Sequence, residues 1–141
     1  MKQGTAALVI ALAIISPAVL AAQTTDPIRV TLSLNRTTAA PGDSLRATIV
    51  VTNTSPDTTG IRWLSGQLYD FVLVGPRGRE LWSWGSGMAF DQAIHPRDLA
   101  PGQQLVYSEL IPMPRSPGTY RVVGNLTTQP VRSASALVTV N

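Results

Sequence analysis

Short runs of alternating apolar and polar residues, separated by Pro and Gly, fill this sequence. The run at residues 28–34 has an apolar side chain at every second position, and residues 45–51 repeat the pattern after a turn at residues 40–43. Strand side chains repeat every two residues, so this period predicts half-buried strands rather than helices. The 11 Pro and 11 Gly separate such runs, which limits each strand to a few residues.

The same pattern predicts further strands along the chain, at residues 61–64, 68–74, 80–84, 90–94, 104–111, 120–127 and 131–140. Residues 68–74 are apolar on both faces around Asp70, which predicts a central strand covered on both sides. Pro117-Gly118-Thr119-Tyr120 suits a tyrosine corner, in which the phenol bonds to upstream backbone. The chain is therefore expected to be all-β, an immunoglobulin-like β-sandwich of about eight or nine short antiparallel strands.

The N-terminus has the layout of a secretory signal peptide. A positive start at Lys2 precedes an apolar run at residues 6–15, a break at Ser16-Pro17, and small residues up to Ala21 and Ala22. We expect cleavage after Ala21 or Ala22, and hence a secreted, periplasmic or cell-envelope protein. A retained membrane anchor is the alternative, but the apolar core is short for a bilayer of ~30 Å, and no stable membrane insertion is expected after cleavage.

Composition narrows the function classes. Removing residues 1–22 from 141 leaves 119, enough for one domain at residues 23–141. The chain has no Cys, so neither disulfides nor thiolate chemistry contribute. Its ten Arg are scattered among eight acidic residues without a basic cluster, which argues against nucleic-acid binding.

A predicted β-hairpin around a turn at residues 75–78 lies within residues 61–93, which hold six of the eight aromatic residues. Three spaced motifs lie in and after it: Gly66-Gln67-x-Tyr69-Asp70-Phe71, Gly78-x-Glu80-x-Trp82-x-Trp84 and Phe90-x-Gln92-Ala93. Together they resemble the signature of the intracellular proteinase inhibitor (BsuPI) family. The resemblance implies a small β-sandwich that inhibits serine proteases of the subtilisin type. It implies no particular inhibitory residue.

The motif residues are candidates for either a structural or a partner-binding role: Gln67, Tyr69, Asp70, Phe71, Trp82, Trp84, Phe90 and Gln92. Trp82 and Trp84 share one strand face, where they either pack in the core or anchor a partner. Asp70 is flanked by aromatic residues, and a buried carboxylate there needs hydrogen-bond donors. Structural pairing is the preferred interpretation of Asp70, ahead of catalysis.

No catalytic constellation is found. The chain has no Cys nucleophile, no Gly-x-Ser-x-Gly elbow, and no acidic or His cluster with zinc or calcium spacing. His95 is the one His, and its place in a His-Pro turn favours a surface or capping role. Nothing in the spacing of Asp70 and Asp91 makes them converge as a glycosidase pair. We therefore predict a protein that is not an enzyme and uses no metal or cofactor.

An inhibitor needs only a rigid loop that fits a protease cleft. Three loops are candidates, at residues 75–79, 85–89 and 111–117, the last two carrying Met88 and Met113. A subtilisin-type cleft accepts large apolar side chains, so Met88 or Met113 is the expected anchor. The alternative function is an immunoglobulin-like cell-envelope module that mediates protein–protein binding. The sequence indicates no particular oligomeric state.

Overall fold

Alternation along the early strands determines which sheet face is buried. In a computed structural model of the protein, which describes residues 26–141, Leu45, Ala47, Ile49 and Val51 are all fully buried. The strands are β1 (Ile28–Leu34), β2 (Thr38–Ala39), β3 (Ser44–Asn53), β4 (Thr59–Trp63), β5 (Tyr69–Val74), β6 (Glu80–Ser83), β7 (His95–Leu99), β8 (Gln104–Pro112), β9 (Gly118–Leu126) and β10 (Arg132–Val140).

Two sheets form the sandwich. Sheet A has the order β1-β3-β8, sheet B has the order β2-β10-β9-β5-β6, and β4 pairs with β7 in a separate two-stranded sheet. Every pair is antiparallel except β2 with β10. The sheets approach so closely that a Cβ on Gly124 of β9 would lie 2.8 Å from Ile49 of β3. The predicted immunoglobulin-like β-sandwich is confirmed.

Two of the ten strands in residues 26–141 were not predicted. β2 has only two residues, and β7 begins at His95, which we expected in a turn. His95 pairs with Trp63. Pro96 has no N–H to donate, but β7 pairs only with β4, so only one edge of the strand needs donors and Pro96 is tolerated. The expected short strand at residues 90–94 is absent from the described chain, which runs there without regular structure.

β5 is covered on one face only, contrary to expectation. Phe71 and Leu73 are buried between the sheets, whereas Asp70, Val72 and Val74 on the other face are half-exposed. Residues 26–141 contain no helix that could cross a membrane. The expected signal peptide lies outside the described residues.

The predicted tyrosine corner is present. Tyr120 is 3% exposed and its hydroxyl donates to the Ser116 carbonyl oxygen at 2.6 Å. A buried phenol needs such a partner, and this bond fixes the loop that leads into β9. The corner therefore joins a core side chain to a surface turn.

Replacing Tyr120 with Phe should lower the free energy of unfolding by about 0.5–1.5 kcal/mol, because the ring stays buried while the bond to Ser116 is lost. Urea unfolding monitored by tryptophan fluorescence measures this change. Tyr107→Phe is the matched control, since no hydrogen bond of the Tyr107 hydroxyl is found in the described chain. Equal effects of the two substitutions would contradict the role given to the corner.

Candidate functional site

The motif aromatics gather where the sandwich is open between β8 of sheet A and the β5–β6 edge of sheet B. The Tyr69 ring is stacked between Trp84, at a centroid distance of 4.6 Å, and Tyr107 of β8, at 4.7 Å. Phe90 extends this row, with its centroid 6.1 Å from that of Trp84. Phe71 contacts the Tyr69 ring edge-on at 5.8 Å. The aromatic row, Phe90-Trp84-Tyr69-Tyr107, therefore spans the open side of the sandwich.

The Tyr69 hydroxyl adds a polar link between the sheets. It donates to the Glu109 carboxylate of β8 at 2.7 Å. Burial raises the pKa of the Tyr69 phenol strongly, and the bond to Glu109 raises it further. Tyr69 thus remains a protonated donor at neutral pH, and its chemistry is that of a structural clamp.

Asp70 holds the chain after β6. Its Oδ1 accepts from the Gly85 N–H at 2.8 Å and from the Phe71 N–H at 2.9 Å. Asp70 thus has the hydrogen-bond donors that a carboxylate at this position needs, and both donors are backbone amides. A Cβ on Gly85 would collide with the Gln67 side-chain amide, so any larger residue here would require that amide to move. The carboxylate therefore fixes the start of the following loop.

The far end of that loop is tied to the segment before β5. The Gly66 N–H donates to the Asp91 carbonyl at 2.9 Å. The Asp91 carboxylate accepts from the Ala93 N–H and lies 2.7 Å from His95 Nε2. The hydrogen bond with His95, followed by that with Ala93, lowers the pKa of Asp91. His95 therefore has a surface role, as expected, although it is in a strand.

The remaining motif residues have local partners. Gln67 Nε2 donates to the Tyr69 carbonyl at 3.4 Å, and Gln92 Nε2 donates to the Phe90 carbonyl at 3.2 Å. Trp82 lies opposite Leu73 in the hairpin. The side chains of Trp82 and Trp84 are both partly buried and pack against the core. Packing thus accounts for much of the contact made by both indoles.

Between these ties, residues 85–89 form an exposed loop, here called the Met88 loop. The Met88 N–H donates to the Gly85 carbonyl at 3.2 Å, and Gly87 adopts a φ of 79°. Met88 itself is 49% exposed. The motif residues thus hold the base of a short turn that carries an apolar side chain at its tip.

Met113 does not suit the anchor role considered for it. It is 4% exposed, and its N–H donates to the Asp43 carbonyl at 2.7 Å. The side chain fills the core because its position continues the inward parity of Ile111 on β8, despite the flanking Pro residues. Ser116 and Pro117, at the end of that candidate loop, lie beside the turn at residues 75–79, at the end of the β5–β6 hairpin away from the Met88 loop.

The titratable side chains near the Met88 loop have local partners. Within residues 26–141, no group of three or more His, Cys, Asp or Glu could hold a metal ion. The carboxylate of Asp70 is occupied by backbone amides, and His95 is bonded to Asp91 on the surface. The accessible chemistry of the site is that of a rigid apolar turn.

The sequence matches a known protein family. The profile described as intracellular proteinase inhibitor, BsuPI, matches residues 32–131, which is most of the chain and includes all three motifs. The chain belongs to the BsuPI family. As the family's description says, its members are proteinase inhibitors. The family resemblance read from the motifs is confirmed.

Three solved structures of low identity are similar to this chain in part. Spo0M, the sporulation control protein of Bacillus subtilis, is 16% identical, with a TM-score of 0.48 over 81% of this chain and 48% of that one. The CARDB domain of PF1109 from Pyrococcus furiosus is 14% identical, with a TM-score of 0.48 over 81% and 87%. A β-glucosidase, EmGH1 from Erythrobacter marinus, is 13% identical, with a TM-score of 0.48 over 81% and 15%.

The chain thus spans 15% of the glucosidase and 48% of Spo0M. No curated protein matches the sequence. Similarities at this level assign no activity to this BsuPI member.

Sequence reasoning missed Tyr107 and Glu109 as parts of the site, and it did not identify Gly85 as the partner of Asp70. A signal for Glu109 exists, since it lies at an inward position of β8, where a charged side chain requires a partner. Its partner Tyr69 is 40 residues away in the chain, so the pair could not be matched by spacing.

Tyr69→Phe should lower the free energy of unfolding at neutral pH by about 1.5–3 kcal/mol, because a hydrogen bond to a charged acceptor is lost. The pKa of the Tyr69 phenol is higher in the folded protein than in the unfolded chain, where it is about 10. The stability that this difference contributes is fully present below about pH 10 and is lost as the pH rises from there through the folded-state pKa. When the pH is raised from neutral to above about 10, the free energy of unfolding should therefore fall less in Tyr69→Phe than in the wild type.

Urea unfolding at neutral and alkaline pH measures both effects. Tyr107→Phe leaves the bond between Tyr69 and Glu109 in place and serves as the neutral-pH control. The proposed clamp is wrong if Tyr69→Phe matches this control at neutral pH.

Proposed function

We propose that this BsuPI member is an exported inhibitor of subtilisin-type serine proteases and that it inserts the Met88 loop into the protease cleft. One observation carries the proposal: family-motif residues fix both sides of a loop whose tip residue, Met88, is 49% exposed. Asp70 holds Gly85 at one side, and Phe90 packs on Trp84 at the other.

Rigidity of this loop favours inhibition. A loop already ordered in the free protein loses little conformational entropy on binding, so more of the contact energy appears as affinity. Burial of a Met side chain in an apolar specificity pocket contributes about 1.5–3 kcal/mol. Met88 meets this requirement, since it is exposed and apolar, whereas Met113 is buried in the core.

Export is the second part of the proposal. The N-terminal sequence has a positive start, an apolar run and small residues before position 23. The family description says intracellular, so an exported member would meet proteases of a different compartment. The chain has no Cys, and its fold therefore makes no demand on the redox state of either compartment.

A cell-envelope module that binds another protein is the alternative function. Val106 and Leu110 favour it, because they are 59% and 55% exposed on the outer face of β8, the edge strand of sheet A. Exposed apolar side chains on a sheet edge are common features of protein contacts. Stoichiometric loss of protease activity separates the two functions, since only an inhibitor would produce it.

Met88→Asp should weaken inhibition of a subtilisin-type protease by at least about thirty-fold, as expected for loss of a hot-spot residue. The measurement is the inhibition constant from titration of the mature chain, residues 23–141, against the protease with a chromogenic peptide substrate. Met88→Leu should retain inhibition, because the pocket needs an apolar side chain of similar size.

Leu137→Asp is the matched control, since Leu137 is 53% exposed on β10. Equal potency of Met88→Asp and this control would exclude the Met88 loop. Full protease activity with wild-type protein at micromolar concentration, across a panel that includes proteases of the same organism, would refute the inhibitor proposal itself.

Expression of the full chain in a bacterial host tests export. We expect a mature N-terminus at position 22 or 23 in the periplasmic or culture fraction, measured by intact mass spectrometry. Replacing Leu12 with Arg should block processing, because a charge in the apolar run prevents recognition. Uncleaved wild-type protein confined to the cytoplasm would contradict export without affecting the inhibition test.

A further inference from the structure

The end of the β5–β6 hairpin away from the Met88 loop has a groove with basic edges. The turn at residues 75–79 and the loop before β9 enclose a volume of about 420 Å³. We call it the turn groove; its apolar lining is Pro76, Leu81, Pro117 and Tyr120, and its charged lining is Arg77 and Arg79. We propose that the turn groove binds an extended acidic segment of a second protein.

Both walls of the groove are fixed in the free protein. In the turn, the Gly75 N–H donates to the Arg79 carbonyl at 2.8 Å and the Gly78 N–H donates to the Gly75 carbonyl at 2.9 Å. In the opposite wall, the tyrosine corner bonds Tyr120 to Ser116 at 2.6 Å. A preformed groove loses little entropy when a flexible peptide binds, so this geometry suits an extended segment.

The charges favour a carboxylate-bearing ligand. Arg77 and Arg79 are exposed, and neither takes part in an ion pair within the described residues. Arg121 lies on the other side of Pro76, next to a second hollow of about 340 Å³, and its guanidinium donates to the Ser135 hydroxyl. Glu80 is the carboxylate nearest in sequence and lies opposite Val74 in the hairpin. The turn thus presents two guanidinium groups, those of Arg77 and Arg79, and such groups bind carboxylates in bidentate geometry.

An acidic peptide fits better than a polyanion. Pro76, Leu81 and Pro117 supply apolar walls that would contact side chains between the carboxylates. Nucleic acids require a longer basic track and stacking platforms, whereas the basic residues here belong to a single turn and its neighbour. The ligand is therefore a segment in which Asp or Glu alternates with apolar residues.

The groove and the Met88 loop lie at opposite ends of one hairpin. β5 leads from Tyr69 to the turn groove, and β6 returns from Glu80 toward the Met88 loop. At ~3.3 Å per residue the two sites are separated by at least roughly 13 Å. A protease bound at one end would leave the other end accessible, so this second site goes beyond the proposed inhibition.

Fluorescence anisotropy tests the inference on the mature chain with a fluorescein-labelled octapeptide containing three Glu and two Leu. The same peptide with Gln in place of each Glu should bind at least ten-fold more weakly. Arg77→Glu combined with Arg79→Glu should also weaken binding of the Glu peptide at least ten-fold. Affinity should fall as salt rises, because exposed charges are screened.

Arg29→Glu combined with Arg62→Glu changes the net charge equally at exposed sites away from the groove, and should alter affinity less than two-fold. The inference is overturned if both double variants weaken binding equally, if the Gln peptide binds as well, or if no binding occurs at millimolar protein. Competition by tRNA but not by unlabelled Glu peptide would also overturn it.

The tests of the two sites are independent, so one site can be refuted without the other. Arg77→Glu with Arg79→Glu should leave protease inhibition unchanged, and Met88→Asp should leave peptide binding unchanged. Loss of inhibition in the groove variant would show that residues 75–79 belong to the inhibitory surface, which contradicts a separate second site.

Discussion

The position of the Tyr69 ring between Trp84 and Tyr107 is the interaction on which the rest of this structure depends. Tyr69 and Trp84 belong to the sheet B hairpin and the residue after it, and Tyr107 belongs to sheet A, so the stack joins the two layers on their open side. Aromatic pairs contribute about 0.5–1.5 kcal/mol each beyond buried area, a sizeable part of a net stability of about 5–15 kcal/mol. In a chain without Cys, this stack takes the place that a disulfide between sheets would have.

The residues of the family motif therefore have two roles. Its aromatic members close the sandwich, and its carboxylate, Asp70, holds Gly85 at the start of the Met88 loop. The base of the loop is thus held by residues that also close the sandwich. This coupling limits the conformations open to the turn in a small protein without disulfides.

Features that depend on residues close together in the chain could be predicted from the sequence. β1 was predicted at its observed bounds because one buried face imposes a period of two, and the corner at Tyr120 was predicted because its partner, Ser116, is four residues away. β7 was missed because His95-Pro96 indicates a break, and only pairing with distant β4 makes it a strand. Met113 was misassigned for a similar reason, since its Pro neighbours indicate a loop while the parity of β8 turns it inward.

The contact between Tyr69 and Glu109 shows why sites are harder to predict than strands. Each residue has an ordinary place in its own strand, and only the packing of two sheets brings them to 2.7 Å. The same contacts would allow this scaffold to fold in more than one compartment. The clamp uses rings, amides and a carboxylate, none of which changes with redox state. A leader sequence alone would then suffice to move this scaffold between compartments, and selection on the target protease would act on the exposed loop rather than on the fold.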